Sequence, residues 1–550
     1  MAALKNGAQL IASSLVDAGI DTVFVIIAGP MVEVIAECHN AGLRVISCRH
    51  EGTAGFMAAA WGYVNKKPGI LIVGSGPAMT NAVTPMYVAN ESGMPLVVLG
   101  GSSRSSTRGF GGFQEVDQMA FAAPACKWTL QVDSVRRIPE HMHLALGNAM
   151  AGRPGAVYLD FPGELITQDA PEDRIRFRPS TPTVTPPAPD PAAIDQVAGM
   201  LAQAERPLIL IGKGAAWADA GPALQRLVDL GIPFVASPTG RGTLPDDHPM
   251  SVNAARTSAL SQADVLIAMG ARFNWIFQVG NPSKYAPGVR IVQVDVVAEE
   301  MYSGANVELG LVADCAATAN ALADALSGRT LRTGSASSSG GWTAILKEKC
   351  RQNEAAVAEP MDSDRTPINH HRLLRDLRDT IDRNASVAAD GELTMAMARM
   401  LLPSYNARLR LNAGPTGCVG TGVPYAIGAK LARPDEQAVA IVGDYAFGAG
   451  CNEIETAARV GANVVFVIAN NSGITGHNIQ DRLFSPDAPP IAALIPAHYE
   501  QMAQMVGGYG ERVTDPAEIA PAIQRALDSN SVAIVNVLTD PNEGGRSGYL

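Results

Sequence analysis

Two oxygen-bearing pairs stand where a chain would present a hard cation. Gly443-Asp444 closes the apolar run Gln437-Ala-Val-Ala-Ile-Val-Gly-Asp444, and Asn470-Asn471 closes Ala462-Asn-Val-Val-Phe-Val-Ile-Ala-Asn-Asn471. Asn471 follows Asp444 by 27 residues. Both runs read as buried parallel strands, with Glu453–Arg459 as the helix between them. Ligands of open α/β sheets gather at the carboxyl ends of strands. Mg²⁺ takes few carboxylates, some neutral oxygens and a phosphate. Asp444 and the Asn471 amide supply the first two kinds. The pattern equally suits an ordinary strand–helix–strand unit with polar strand ends.

A distant carboxylate has a comparable setting. Val45-Ile-Ser-Cys-Arg-His-Glu51 reads as a short strand that runs into a small-residue helix, Gly52 to Tyr63. Glu51 stands at the helix N-terminus, where the dipole alone favours an acid.

The elements that must position these groups fall into three parts. A proline-rich stretch from Pro171 to Pro191 and a Gly/Ser-rich stretch from Gly328 to Gly341 read as linkers. The expected domains are 1–170, 191–328 and 342–540, with 541–550 as a flexible tail or lid. Each part alternates apolar strands with helical stretches, so the fold class is α/β, three doubly wound parallel-sheet domains. In the middle part Gly212-Lys-Gly214 follows a strand, which is a fragment of a dinucleotide fingerprint. Asp295 ends a later strand and could hold a ribose; a purely structural middle domain fits as well.

Composition sets the outer limits. The 550 residues are 47% hydrophobic and 17% charged, with a net charge of −11. Such a chain can bury several cores, and its acidic balance argues against nucleic-acid or anionic-membrane partners. Met1-Ala-Ala-Leu-Lys-Asn-Gly leads straight toward an amphipathic helix, so no signal peptide is expected. The seven cysteines form no C-x-x-C pair. They are expected to be reduced thiols of a cytoplasmic protein.

Taken together, Glu51 and the Asp444/Asn471 pair resemble the two motifs of thiamine-diphosphate (ThDP) enzymes. Longer segments are similar to the 2-hydroxyacyl-CoA lyase and oxalyl-CoA decarboxylase branch of that family. They include Ile211 to Trp217, Gly270 to Ile276, Val289 to Glu300, Phe113-Gln-Glu115, Trp342 to Ala356 and Pro496 to Gly508. The resemblance implies pyrimidine-binding, middle and diphosphate-binding domains in that order. It implies ThDP and Mg²⁺ as cofactors, with the metal on Asp444, Asn471 and the carbonyl of Gly473. Glu51 would meet the aminopyrimidine ring nitrogen, the Gly417 carbonyl its 4′-amino group, and Val419 would be the wedge beneath the bent cofactor. Gly391, Glu392, Leu393, Gly443, Tyr445, Ala446, Ile474 and Thr475 would line the cofactor, with Asn81 shaping the pyrimidine-side loop. Tyr445 departs from the pattern, which has Gly or Ser there. The cofactor would lie between subunits, so a homodimer at least, and usually a homotetramer, is implied.

The branch also implies the reaction. A 2-hydroxyacyl-CoA would be cleaved between C1 and C2 to formyl-CoA and an aldehyde or ketone, reversibly. The first alternative is oxalyl-CoA decarboxylase, and the second is an acetolactate-synthase-like carboligase on 2-oxo acids. Decarboxylases of this branch carry Tyr-Glu where this chain has Phe113-Gln114, Tyr where it has Thr475, and Ser-Gly-Arg where it has Gly544-Gly545-Arg546. Gln114 matches the lyases and would hydrogen-bond an oxygen near the reacting carbon. Thr475 departs from many lyases as well. His477, just past the metal loop, could be a general acid or base for the substrate hydroxyl; a solvent-facing loop histidine is the alternative. Asn353 and Arg546 match CoA-side positions. Arg153, Lys213, Arg272 and Asp295 match a middle-domain nucleotide site that holds ADP in some relatives and FAD in related carboligases.

Overall fold

The computed structural model describes residues 3–176, 184–329, 331–332 and 341–543. Its framework is three parallel sheets. The first runs Arg44–Ser47, Thr22–Val25, Gly69–Val73, Leu96–Ser102, Ala156–Pro162, Trp128–Gln131 in spatial order. The second runs Phe234–Ala236, Pro207–Ile211, Val265–Met269, Arg290–Asp295, Val307–Val312. The third runs Arg410–Leu411, Ser386–Asp390, Ala438–Gly443, Val465–Asn470, Ala533–Leu538, Tyr509–Val513. The chain is thus three α/β units, as the alternation of apolar runs and helical stretches predicts. The central strands are buried along their whole length, as in Gly69–Val73 and Pro207–Ile211. Helices cover both faces, which is why these strands read as continuous apolar runs. The middle sheet has the 2-1-3-4-5 order, whose switch point lies between Pro207–Ile211 and Val265–Met269. A short antiparallel pair, Leu4–Asn6 with Asp169–Pro171, ties the two ends of the first unit together.

The first and third units share one hydrophobic core. The helix Glu51–Asn65 lies against the helix Gly422–Ala432, with Phe56 edge-on to Tyr425 at 5.9 Å between ring centres. The approach depends on Gly428: a Cβ there would stand 2.4 Å from the Met57 carbonyl oxygen. The helix that begins at Glu51 is therefore seated on the domain that carries Asp444. All seven cysteines are free. No helix among the described residues is long and apolar enough to cross a membrane.

Candidate active site

Gly443 pairs with Ala469 across neighbouring strands, so Asp444 and Asn471 leave adjacent tips together. Asp444 is 1% exposed, and its Oδ2 has no hydrogen-bond partner among the described residues. Burial pushes its carboxyl up to about 6, against the backbone N–H groups of Tyr445, Asp444, Gly473 and Asn471. One end of the Asn471 amide lies 3.0 Å from both Asp444 Oδ1 and the Gly473 carbonyl oxygen; the other lies 3.0 Å from the Gly476 nitrogen. With its nitrogen inward, the amide donates to both oxygens. With a cation among the three groups, the amide oxygen turns inward instead. Adjacent ligands on an octahedron with bonds of about 2.1 Å are about 3 Å apart, so one carboxylate, one amide and one carbonyl fit Mg²⁺ here. Among the described residues no group of three or more His, Cys, Asp or Glu could hold a metal. The donor set is thus oxygen-rich and low in charge, which suits a hard ion.

The loop after Asn471 is strained and braced. Ser472 and Thr475 sit in the left-handed region at φ 58° and 53°, which costs a non-glycine residue free energy and persists only where surroundings enforce it. Ile474 N donates to the Ala492 carbonyl at 3.0 Å and Leu494 N to the Ser472 carbonyl at 2.7 Å. Gln480 Oε1 accepts from Ile491 N and Ala492 N, each at 2.9 Å. His477 is half-buried and its N–H donates to the Pro541 carbonyl at 2.8 Å. The first residues of the expected tail are therefore packed on this loop, while Arg546 lies outside the described residues. Tyr445 is 48% exposed while Ala446 is buried.

Asp390 joins two further segments. Burial raises its carboxyl, and the N–H groups of Gly422, Gly391 and Gly420 lower it. Gly391 N donates to it at 2.7 Å, and Gly420 N and Gly422 N at 2.8 Å. Gly391, Glu392 and Leu393 are thereby held beside the turn that carries Gly417, at φ 61°, and the 44% exposed Val419.

Glu51 and Gln114 meet a different loop, in the first unit. Asn81 Nδ2 donates to Glu51 Oε2 at 3.0 Å. Ser75 Oγ donates to Gln114 Oε1 at 3.0 Å. Gln114 itself is at φ 54°, and a Cβ on Gly76 would stand 2.4 Å from its carbonyl oxygen. Beneath them the buried Gln118 accepts from Gly76 N at 2.7 Å and donates to Asp160 Oδ1 at 2.8 Å. Residues 75–81 thus hold both Glu51 and Gln114. No hydrogen bond among the described residues joins this pair to Asp444, Asn471 or Gly473 within the chain.

Arg153, Lys213, Arg272 and Asp295 line one cavity of about 1220 Å³ between the first and middle units. A Cβ on Gly212 would stand 2.0 Å from the Gly270 carbonyl oxygen, so glycine lets these two strand ends close up. The cations there already have partners. Arg153 pairs with Glu300 at 3.0 Å and donates to the Glu91 carbonyl at 2.6 Å; Arg272 donates to that same carbonyl at 2.6 Å. Lys213 donates to the Ser92 carbonyl and sits 4.0 Å from the centre of the Tyr63 ring. Burial, then Arg153 and Arg272, hold its ammonium well below the usual lysine range. Burial raises the Asp295 carboxyl.

Asn353 lies elsewhere. Its Nδ2 donates to the Ala254 carbonyl at 2.7 Å, two residues from Arg256. Arg256 itself belongs to a basic cluster that motif reading missed. Burial and then Arg256 lower Arg399 to about 10. Burial lowers Arg410 to about 9, with Arg241 and Arg399 adding to the effect. Arg241 pairs with Asp246 at 2.6 Å. These arginines come from two domains and share no motif, so only their proximity marks them.

Comparison with known proteins follows the same division. The thiamine pyrophosphate enzyme N-terminal TPP binding domain matches residues 5–121, the central domain 194–322 and the C-terminal TPP binding domain 390–537. The chain is 32% identical to 2-hydroxyacyl-CoA lyase 1 of Homo sapiens, over 98% of this chain and 95% of that protein. It is 32% identical to oxalyl-CoA decarboxylase of Escherichia coli, over 100% and 97%. It is 34% identical to an acetolactate synthase large subunit of Mycobacterium tuberculosis, over 98% and 96%.

Proposed function

The chain belongs to the thiamine pyrophosphate enzyme family and is a ThDP-dependent carbon–carbon lyase; from that premise we propose that it cleaves the C1–C2 bond of a 2-hydroxyacyl-CoA to formyl-CoA and an aldehyde or ketone. The observation that carries this reading over decarboxylation is Gln114. A neutral amide, held through Oε1 by Ser75, leaves its NH₂ to donate to an oxygen of the substrate. The full-length similarity to 2-hydroxyacyl-CoA lyase 1, together with the segments that resemble that branch, favours a CoA thioester over a free 2-oxo acid.

Bound ThDP supplies the electron sink that lets a carbon–carbon bond break. The chain's own residues orient and feed it. Asp444, Asn471 and the Gly473 carbonyl would hold Mg²⁺, and Gly391, Glu392, Leu393, Gly443, Tyr445, Ala446, Ile474 and Thr475 would line the diphosphate side. Asn81 engages Glu51 Oε2, which leaves Oε1 as the atom that would hold or release a proton toward the aminopyrimidine ring of bound ThDP. The Gly417 carbonyl would accept from the 4′-amino group, and Val419 would support the ring. His477 serves the substrate hydroxyl. Glu51 of one subunit and Asp444 of another would serve one cofactor in a homodimer or larger assembly.

The experiment is product analysis with purified protein, ThDP and Mg²⁺ on lactoyl-CoA, 2-hydroxyisobutyryl-CoA, a long-chain 2-hydroxyacyl-CoA, oxalyl-CoA and pyruvate. Formyl-CoA with an aldehyde or ketone is the expected outcome. CO₂ release from oxalyl-CoA alone, or turnover of pyruvate alone, would sink the reading.

A further inference from the structure

Glu453 has no role in the chemistry above, yet its carboxylate joins the first and third units of the same chain. It is the first residue of the helix Glu453–Arg459 and is 0% exposed. Its Oε1 accepts from Arg49 N at 3.0 Å, His50 N at 3.2 Å and Thr53 Oγ1 at 2.5 Å. Its Oε2 accepts from Thr456 Oγ1 at 2.6 Å and more distantly, at 3.3 Å, from Arg49 N. A carboxylate offers about four acceptor sites, and four groups occupy them. Glu453 therefore has no capacity left for a ligand or a metal.

What it holds is the junction that presents Glu51. The strand ends at Ser47 and the helix starts at Glu51. Arg49 and His50 lie between, past the last sheet partner and ahead of the first turn, where backbone donors lack intrahelical acceptors. The His50 side chain caps the helix by accepting from Gly52 N at 3.0 Å, and Thr53 Oγ1 also donates to the His50 carbonyl at 2.9 Å. Neighbouring contacts press the same edge onto the third unit: Arg459 donates to the Ser47 carbonyl at 2.5 Å and Arg44 to the Val460 carbonyl at 3.0 Å. The stretch from Asp444 to Glu453 thus reaches from the metal loop to the Glu51 junction of the same chain.

We infer that Glu453 is a positioning residue: by accepting the N–H groups of Arg49 and His50 it fixes the backbone from which Glu51 projects. The inference rests on the role given to Glu51 under the proposed function. Glu453→Ala removes the acceptor of the Arg49 and His50 amides and of the Thr53 and Thr456 hydroxyls, whereas Glu453→Gln keeps an amide oxygen that accepts from the same N–H groups.

The test uses the full-length protein with Glu453→Ala and Glu453→Gln, each alone and combined with Glu51→Gln. Without cofactor, amide-hydrogen exchange at Arg49 and His50 is expected to speed up about tenfold or more in Glu453→Ala. With ThDP and Mg²⁺, exchange of the cofactor's C2 proton into D₂O is expected to slow about tenfold or more, while ThDP affinity stays within about threefold. Glu453→Gln recovers most of both losses. In the Glu51→Gln background, Glu453→Ala slows C2 exchange no further, the non-additivity of two residues acting as one unit. Additive slowing, or unchanged amide exchange at Arg49 and His50, would overturn the inference. If Glu51→Gln alone leaves C2 exchange intact, it is the role of Glu51 that has failed, and the amide exchange still reports on Glu453. Should the alanine variant not fold, Glu453→Asp, which withdraws the acceptor by one methylene, carries the same readouts.

Discussion

The loop at Asp444 and the cavity at Lys213 both sit at strand tips, and they differ in what their polar groups lack. At the first, Asp444 Oδ1 and the Gly473 carbonyl both face one end of the Asn471 amide, and Asp444 Oδ2 has no partner among the described residues. At the second, Arg153 and Arg272 are matched by Glu300 and by the Glu91 carbonyl. Burying an unmatched acceptor costs free energy that a cation removes; a matched arginine gains little from a further anion. The Asp444 loop thus keeps a buried carboxylate oxygen without a partner among the described residues, whereas Arg153 and Arg272 at the cavity already have theirs within the protein. The difference separates two kinds of residue that looked alike in the sequence, where each was a charged group after an apolar run.

The largest effect that would break this contrast concerns the reacting centre. Glu51→Gln is expected to lower kcat by about 100- to 10,000-fold, the scale of lost acid–base catalysis, with ThDP still bound. Steady-state kinetics beside calorimetric titration of the cofactor would check it. Asp444→Asn is expected to weaken Mg²⁺ by about 10- to 100-fold or more, since even outer-shell partners of a metal reach that scale. Mg²⁺ titrations of ThDP-dependent fluorescence changes would measure it, and an unchanged affinity would remove the metal from this loop.

The next effect depends on pH. A carboxyl raised from 3.8 to about 6 binds its proton more tightly in the fold than in the unfolded chain. Its contribution to metal-free stability is therefore present at low pH and is lost as pH rises through about 6, on the order of 3 kcal/mol in all. The same proton competes with a cation. Mg²⁺ affinity is expected to fall by about tenfold for each pH unit below about 6 and to be flat above it. Calorimetry of the metal-free protein from about pH 4 to about pH 8, which spans both values of that carboxyl, would test it.

The smallest effect sharpens the other half of the comparison. Arg272→Ala is expected to leave turnover within about twofold while lowering stability by about 1 to 3 kcal/mol, because the buried partners it leaves lose a charged donor. Thermal unfolding and kinetics on one preparation would show the split. A loss of turnover larger than the loss of stability would place the cavity inside the catalytic cycle.

Much of the fold was legible in the chain itself. Apolar runs with period-free burial marked the strands, and Glu453–Arg459 appears as the expected helix between the two metal-side strands. The candidate metal loop was legible for the same reason: strand tips are set by local sequence, and parallel pairing puts successive tips side by side. The contrast between cation-seeking and settled groups was not legible. Arg153 meets Glu300 across 147 positions, and Glu453 meets Arg49 across 404. Arg241, Arg256, Arg399 and Arg410 likewise gather from two domains.

What the sequence by itself determined, then, is which elements form and which residues stand at their ends, because hydrophobic period and strand–helix order are local. Only the tertiary structure decided which of those ends are satisfied, which are strained and which carboxylate holds another in place. Burial and hydrogen-bond partnership depend on segments hundreds of residues apart being packed against one another.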